Sequence, residues 1–434
     1  MCYNLTNDNE EVSVMSKSNA KEFLSDPAFA AEIARLNGSA DVVQAAERYA
    51  MLANLHAAKY GEGEFFSSPG RIEVCGNHTD HNNGKVLCAS ITVDTLACVT
   101  KTDDGVIIVE SVGYPPVFVN VADLSKIKEE EGDSTAIIKG ICKYYLDHGW
   151  KIGGFKATTQ SNVFKGAGVS SSASFELLIC EILNCLYNGG KLGAMDKAKA
   201  SYFAENVYFG KPSGLLDQSA IALGGVSYID FKSTVDPEVE SIHWGFDDMD
   251  IVITNTGGDH CNLTDNYAAI RREMELVAGK LGGKTLREVS EEDFYDKISA
   301  LQNEVSGRAI MRAMHFYDEN KRVDAGAEAV KKGDESAFAE VINASGLSSY
   351  MLLQNCYPEG DVAQRVPLGI NLSKRFKGVR AVRVHGGGFA GTILAFVDKK
   401  HTAKYIEYMS DIFGEENVFE VGVRNDGACK VNIR

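Results

Sequence analysis

Residues 166–174 read GAGVSSSAS and run directly into FELLICEILNCLY. A glycine turn, then small hydroxyl residues, then an apolar helix leaves unpaired N–H groups at the helix start, where the helix dipole also favours negative charge. Two readings satisfy that pattern: a cradle for phosphate, or a serine N-cap after an ordinary glycine turn. Both put a helix N-terminus at a tight glycine turn. The neighbouring sequence repeats the arrangement, with helical patterns at 136–148, 172–187 and 195–209 separated by glycine-rich turns. These follow a stretch, 65–121, in which β-branched runs alternate with turn residues, as strands do. The expected class is α+β.

At 434 residues the chain exceeds what one hydrophobic core usually serves, so two domains are expected. Residues 1–45 are polar and broken by Gly, Pro and Asn, with one amphipathic stretch near 26–36, and read as a helical N-terminal extension. Residues 46–225 form the first domain in this reading and 226–434 the second. The second begins with a charged, strongly helical region, 269–332. A βαββ-like tail then runs through 379–384, 392–397, 402–412 and 418–423. No internal repeat or low-complexity tract interrupts the chain.

Forty-four Lys and Arg against sixty Asp and Glu give a net charge of −16, which repels nucleic acid and anionic lipid over most of the surface. An anionic nucleotide remains compatible, because a few backbone N–H groups and one metal ion reverse the potential locally. The ten cysteines include no C-x-x-C pair and several stand in apolar runs, so they read as reduced, buried small hydrophobes rather than zinc ligands. No apolar run reaches the roughly 18 residues of a membrane span. The first residues lack the basic start and apolar stretch of a signal peptide, so a cytoplasmic protein is expected.

Two further glycine segments need sorting. AGKLGGKT at 278–285 imitates a Walker loop, but residue 278 is Ala where the motif needs Gly, and the segment follows a helix where the motif needs a strand. HGGGFAG at 385–391 contains G-x-G-x-x-G, yet the β-branched run TILAFV follows instead of a helix, so a glycine hairpin explains it better than a dinucleotide site. Three consecutive glycines exceed a hairpin's needs and point to close approach of the backbone to something else.

Three segments in order, SSPGRIEVCGNHTDHNNG at 67–84, GAGVSSSAS at 166–174 and VHGGGFAG at 384–391, resemble the three signature motifs of the GHMP kinase superfamily. The first is most similar to galactokinases, with Pro69-Gly70-Arg71 and Gly76-Asn77-His78-Thr79-Asp80-His81. Ala204-Glu205, Gly214-Leu215-Leu216-Asp217-Gln218, and Tyr267 with Arg271-Arg272 extend the likeness over roughly residues 45–434. The resemblance implies a two-domain GHMP kinase fold, with an N-terminal ribosomal-protein-S5-like domain and a C-terminal ferredoxin-like α+β domain. It implies an ATP-dependent phosphotransferase acting on a hexose, with galactose at its anomeric C1 hydroxyl as first choice, without an obligate protein partner. A GHMP kinase for another sugar and a non-catalytic sugar sensor are the alternatives.

Carried over position by position, the resemblance makes Asp217 the base and Arg71 the cation that stabilises developing charge. Gly166, Ala167, Gly168, Val169, Ser170, Ser171 and Ser172 become the ATP loop, with Lys165 in reach of the phosphates. Ser172 and Glu205 become Mg²⁺ ligands, with Ser171 a substitute for the first. Asn77, His78, Thr79, Asp80 and Tyr267 become sugar ligands. The chain departs from the family at Glu73 and Asn77, where Asn and Glu are usual, and at Phe164, Asp259, Val384 and His385. Four residues apart on one strand face, Glu73 and Asn77 are expected to touch. With Asp259 in place of Arg beside His260, the pocket is expected to be more acidic than is usual and to disfavour uronic acids.

Overall fold

The computed structural model describes residues 20–21, 23–38, 42–163, 168–211, 213–257, 263–389 and 391–432. Helix α1 (Pro27–Asn37) opens on Asp26, whose carboxylate accepts the Ala28 N–H at 2.9 Å, and it buries Phe29, Ile33 and Leu36. It pairs with α2 (Val42–Tyr60). Their apolar faces, Phe29, Ile33 and Tyr49 among them, pack on Phe65 of strand β1 (Glu64–Cys75) and Leu96 of β2 (Lys85–Thr102). Arg48 of α2 reaches through to the buried Asp94 carboxylate on β2. The described part of the extension is thus a cover over the first sheet, and the expected boundary at residue 45 falls inside α2.

Strands β3 (Val106–Ser111) and β4 (Val117–Asn120), helix α3 (Ser134–Asp147) and strand β5 (Gly154–Ser161) follow. Next come α4 (Ser171–Asn188), α5 (Ala194–Phe203) with a π-helical turn at Ala204–Phe209, and α6 (Leu216–Leu223). The four helices bury Ile138, Leu178, Ala198 and Ile221 against Phe66, Val99, Ile107 and Phe155 of the sheet. Strands β6 (Val226–Asp230) and β7 (Glu238–Ile242) belong to this sheet too, because β6 pairs with β2 and β7 with β6. The expected domain boundary at 225 therefore cuts the first sheet; the chain changes sheets only after β7.

The second sheet contains β8 (Met249–Asn255), β9 (Val379–His385), β10 (Thr392–Asp398) and β11 (Val418–Val421), all antiparallel, in the order β11-β8-β10-β9. Between β8 and β9 run helices α7 (Thr264–Lys280), α8 (Gly307–Lys332), α9 (Glu335–Ser348) and α10 (Arg365–Arg375). Helix α11 (Thr402–Phe413) links β10 to β11. This is the expected ferredoxin-like arrangement. The tail itself runs ββαβ rather than βαββ, because the glycine segment joins β9 directly to β10 as a hairpin. The short strand β12 (Cys429–Lys430) returns to pair with β1, giving the first sheet the order β12-β1-β2-β5-β3-β4.

One shared core holds the two sheets together. Ile72, Val74, Leu87 and Ile91 of β1 and β2 pack with Ile251, Leu394 and Phe396 of the second sheet and with Val323, Val330 and Phe338 of α8 and α9. The faces that β1 and β2 turn to the second sheet are therefore apolar. Of the eight described cysteines, Cys75, Cys88, Cys98, Cys142, Cys180 and Cys356 are buried and Cys185 and Cys429 half-buried, in line with their reading as small hydrophobes. No helix among the described residues is long and apolar enough to cross a membrane.

Candidate active site

The three glycine-bearing motifs meet at one place. Strand β1 carries a register shift between Pro69 and Gly70, and directly after it the Arg71 N–H bonds to the Val169 carbonyl at 3.2 Å. The extra residues at this shift, Thr92 and Val93, lie on the partner strand β2, which bulges opposite Pro69 and Gly70. The bond from Arg71 to Val169 docks β1 on the loop before α4. Further along, Asn77 Nδ2 donates to the Gly386 carbonyl at 2.8 Å and His78 Nε2 to the Gly387 carbonyl at 3.0 Å, which fastens the third motif to the first.

Arg71 sits at the centre. Its Nε and Nη2 each lie 2.7 Å from Asp217 Oδ1, and Nη1 donates to the Gly168 carbonyl. Ser170 donates its hydroxyl to the other Asp217 oxygen. Ser170 occupies the N-cap position of α4 in a left-handed conformation (φ 61°), and its side chain makes no capping bond. A plain N-cap would spend the hydroxyl on the helix, whereas here it is spent on Asp217. Partial burial opposes ionisation of Asp217, but Arg71 and Ser170 outweigh it and hold the carboxyl below its ordinary value. Asp217 is therefore an ionised carboxylate, and 35% of its side chain is exposed.

The loop after β1 is tightly built. Thr79 is buried, and its hydroxyl bonds to the Gly76 and Lys85 carbonyls at 2.9 and 2.6 Å, so its polar atom is spent on the turn. His78 adopts φ 57°, uncommon for a residue with a Cβ. Burial keeps its ring neutral, with a pKa lowered to about 4. Because a carbonyl only accepts, Nε2 carries the proton that bonds Gly387. The Asp80 carboxylate accepts the N–H of Leu216 at the start of α6, one residue before Asp217. Burial, then the charges of Asp217 and Glu73, push its carboxyl up to about 6. A Cβ on Gly214 would lie 1.7 Å from Asp80 Oδ2, so only glycine admits the carboxylate here. Tyr267 of α7 donates to the Gly388 carbonyl at 3.0 Å and meets Phe389 edge-on.

The triple glycine has the close approach that its excess suggested. A Cβ on Gly387 would stand 2.5 Å from the Tyr267 ring, and one on Gly388 would stand 2.2 Å from the Asn355 carbonyl.

Glu205 lies in the π-helical turn with 4% of its side chain exposed. Its Oε1 takes Lys211 Nζ at 2.7 Å, and its Oε2 takes Ser213 Oγ at 2.6 Å and Gln218 Nε2 at 2.7 Å. Gln218 neighbours Asp217, so the carboxylate is oriented toward the same helix start. Ser172, on the first turn of α4, is exposed.

The exchanged pair touches as expected: Asn77 Nδ2 lies 2.9 Å from Glu73 Oε1. Asn77 stands in the turn beyond β1 rather than on the strand, and it is fully buried. Its amide oxygen accepts from Asn355 Nδ2 at 2.7 Å, so the whole side chain is committed to protein partners. Glu73 is paired with the fully buried Arg383 at 2.7 Å. Burial raises the Glu73 carboxyl, and Arg383 and Arg71 act against it. The Glu73 charge is therefore offset inside the protein by Arg383, and the extra acidity expected from Asp259 falls on a residue outside the described ones. Phe164, Lys165, Gly166, Ala167, Asp259 and His260 lie outside the described residues.

Residue type alone does not single out Arg383 or Lys211, since each reads as one more surface cation until the fold pairs it. Gly214 carried a usable signal: a glycine two residues before the start of a helix marks a place where another group approaches the backbone.

The chain is similar to known proteins over most of its length. The galactokinase galactose-binding signature matches residues 54–101, and the N-terminal domain of GHMP kinases matches residues 136–225. A Streptococcus suis galactokinase is 32% identical over 356 residues, covering 81% of this chain and 89% of that one. A Clostridium beijerinckii galactokinase is 29% identical over 387 residues, covering 86% and 96%. The crystal structure of Lactococcus lactis galactokinase complexed with galactose superimposes with a TM-score of 0.78 at 25% identity, covering 88% of this chain and all of that one.

Proposed function

Because this chain belongs to the galactokinase family of the GHMP kinases, we propose that it transfers the γ-phosphoryl group of ATP to the C1 hydroxyl of galactose in the cytoplasm, without an obligate protein partner. The observation that carries the reading is the Arg71–Asp217–Ser170 cluster, which brings the first motif, the phosphate loop and helix α6 to one point. The hydroxyl oxygen attacks the γ-phosphorus, the bond to the bridging oxygen breaks, and ADP leaves. Asp217 takes the hydroxyl proton. A carboxylate held below its ordinary pKa is a weak base, so it accepts that proton late, when the oxygen has become acidic. Arg71 is a fixed cation beside the site where charge spreads over the phosphoryl oxygens, already oriented by Gly168 and Asp217.

His78, Asp80 and Tyr267 line the sugar side in this reading. Asp80 reads paired hydroxyls, while Asn77 and Thr79 shape the loop that carries it. The loop residues from Gly168 to Ser172, continuing the segment from Gly166, receive the phosphates at the start of α4.

Magnesium would be held by Glu205 and Ser172 as hard oxygen donors: the Glu205 carboxylate already faces a cation, the Lys211 ammonium, at 2.7 Å. The ion would neutralise phosphate charge. The test is formation of ADP and galactose 1-phosphate, followed by phosphorus NMR, in mixtures with and without each substrate. ADP formed only when ATP and galactose are both present supports the reading. Saturable galactose binding with no ADP formed removes it and leaves a sensor.

A further inference from the structure

Helix α8 crosses behind the turn that follows β1 within the first motif, and three of its polar residues recur at i, i+4 and i+7 on a buried face. His315 and Glu319 are fully buried, and Arg322 is largely so. Glu319 Oε1 accepts the Gly76 N–H at 3.0 Å and the Asn77 N–H at 3.4 Å, while Oε2 takes Arg322 Nε at 2.6 Å. His315 Nε2 donates to the Asn77 carbonyl at 2.8 Å. That assignment makes Nδ1 the acceptor, and the Ser348 hydroxyl lies 2.8 Å from it. Arg322 Nη2 completes the ring by donating to Ser348 Oγ at 2.8 Å.

Both peptide groups around Asn77 are therefore held by one helix. The next residue is His78, whose left-handed backbone a residue with a Cβ adopts only when its surroundings over-determine it. Asp80 follows two residues later.

We propose that His315, Glu319 and Arg322, closed through Ser348, are positioning residues for sugar binding: they clamp the Gly76–Asn77 backbone and so fix His78 and Asp80 in the cleft. The clamp touches neither substrate. It acts on the sugar side, because Arg71, Asp217 and the phosphate loop are held by their own contacts with one another. The proposal rests on reading His78 and Asp80 as the sugar side. It separates from that reading because the experiment uses whichever sugar the wild-type protein turns over.

The variants Glu319→Gln, His315→Leu, His315→Gln and Ser348→Ala are compared in the full chain, each assayed below its own melting temperature. A clamp predicts that Glu319→Gln and His315→Leu raise KM for the sugar about tenfold or more while KM for ATP stays within about twofold. His315→Gln keeps an N–H donor toward the Asn77 carbonyl and should stay within about threefold of wild type. Ser348→Ala is the mild probe should the buried-charge variant fail to fold, and it should show the same sugar-only shift at about threefold. A folded Ser348→Ala or His315→Leu protein with unchanged sugar KM, or with equal losses for sugar and ATP, overturns the proposal even if galactose is confirmed as the substrate.

Discussion

Arg71 and Asp217 form a 2.7 Å ion pair that places the one cation of the cluster on the carboxylate assigned as base. The pair keeps Asp217 ionised and partly exposed. Asp217→Asn retains the shape and loses the charge, so calorimetry should still detect binding of both ATP and sugar. Turnover should fall by about 10²–10⁴. Near-normal turnover in this variant would take Asp217 out of the mechanism.

Asp80 should give sugar affinity an acid limb. Its carboxyl titrates near 6, and the ionised form is the one that accepts two hydroxyl donors, so KM for the sugar should fall as pH rises through about 6. His78, with a pKa near 4, stays neutral across that window. The stability term has the opposite sign. An acid whose pKa is raised on folding holds its proton more tightly when folded, so its contribution is lost as pH rises from 3.8 to about 6. Asp80→Asn should flatten the KM profile, and an unchanged limb would assign it to another group.

Gly214→Ala tests the closest approach in the cleft. The added methyl would meet Asp80 Oδ2 at 1.7 Å, so the carboxylate or helix α6 must shift. KM for the sugar should rise about tenfold or more, with a smaller change for ATP. Equal effects on both substrates would mean that α6 moves as a whole.

Glu73→Gln tests whether the buried pair is structural. Glutamine keeps an acceptor for Asn77 but leaves Arg383 without its nearest countercharge, which costs about 3 kcal/mol when a buried pair is broken. Urea unfolding should show that loss as a lower midpoint at unchanged slope. A variant as stable as wild type would show that Arg383 is balanced by other groups.

Much of this site was legible in the sequence because its motifs are local. The glycine turn before α4, the strand–turn segment 69–80 and the triple glycine each carry their constraint within a few residues. The ferredoxin-like half was legible in part, since the alternation of 379–397 marks two strands but not the distant β8 that completes the order. What the sequence hid depends on contacts hundreds of positions apart. Arg383 meets Glu73 across 310 residues, and His315 meets the Asn77 carbonyl across 238. Strands β6 and β7 fell on the wrong side of the expected boundary because composition does not change where the chain leaves a sheet. The pattern of α8 held a signal all the same: charged residues at core-facing spacing, where apolar ones belong.

The most direct test of the account is a competition between galactose and galacturonate, read as ADP released from ATP. Asp80 and Asp217 are near neighbours, and Arg71 is already paired, so a sugar carboxylate meets net negative charge. ADP release should depend on galactose, with galacturonate turned over at least about tenfold more slowly. No ADP with either sugar, or faster turnover of galacturonate, would contradict it.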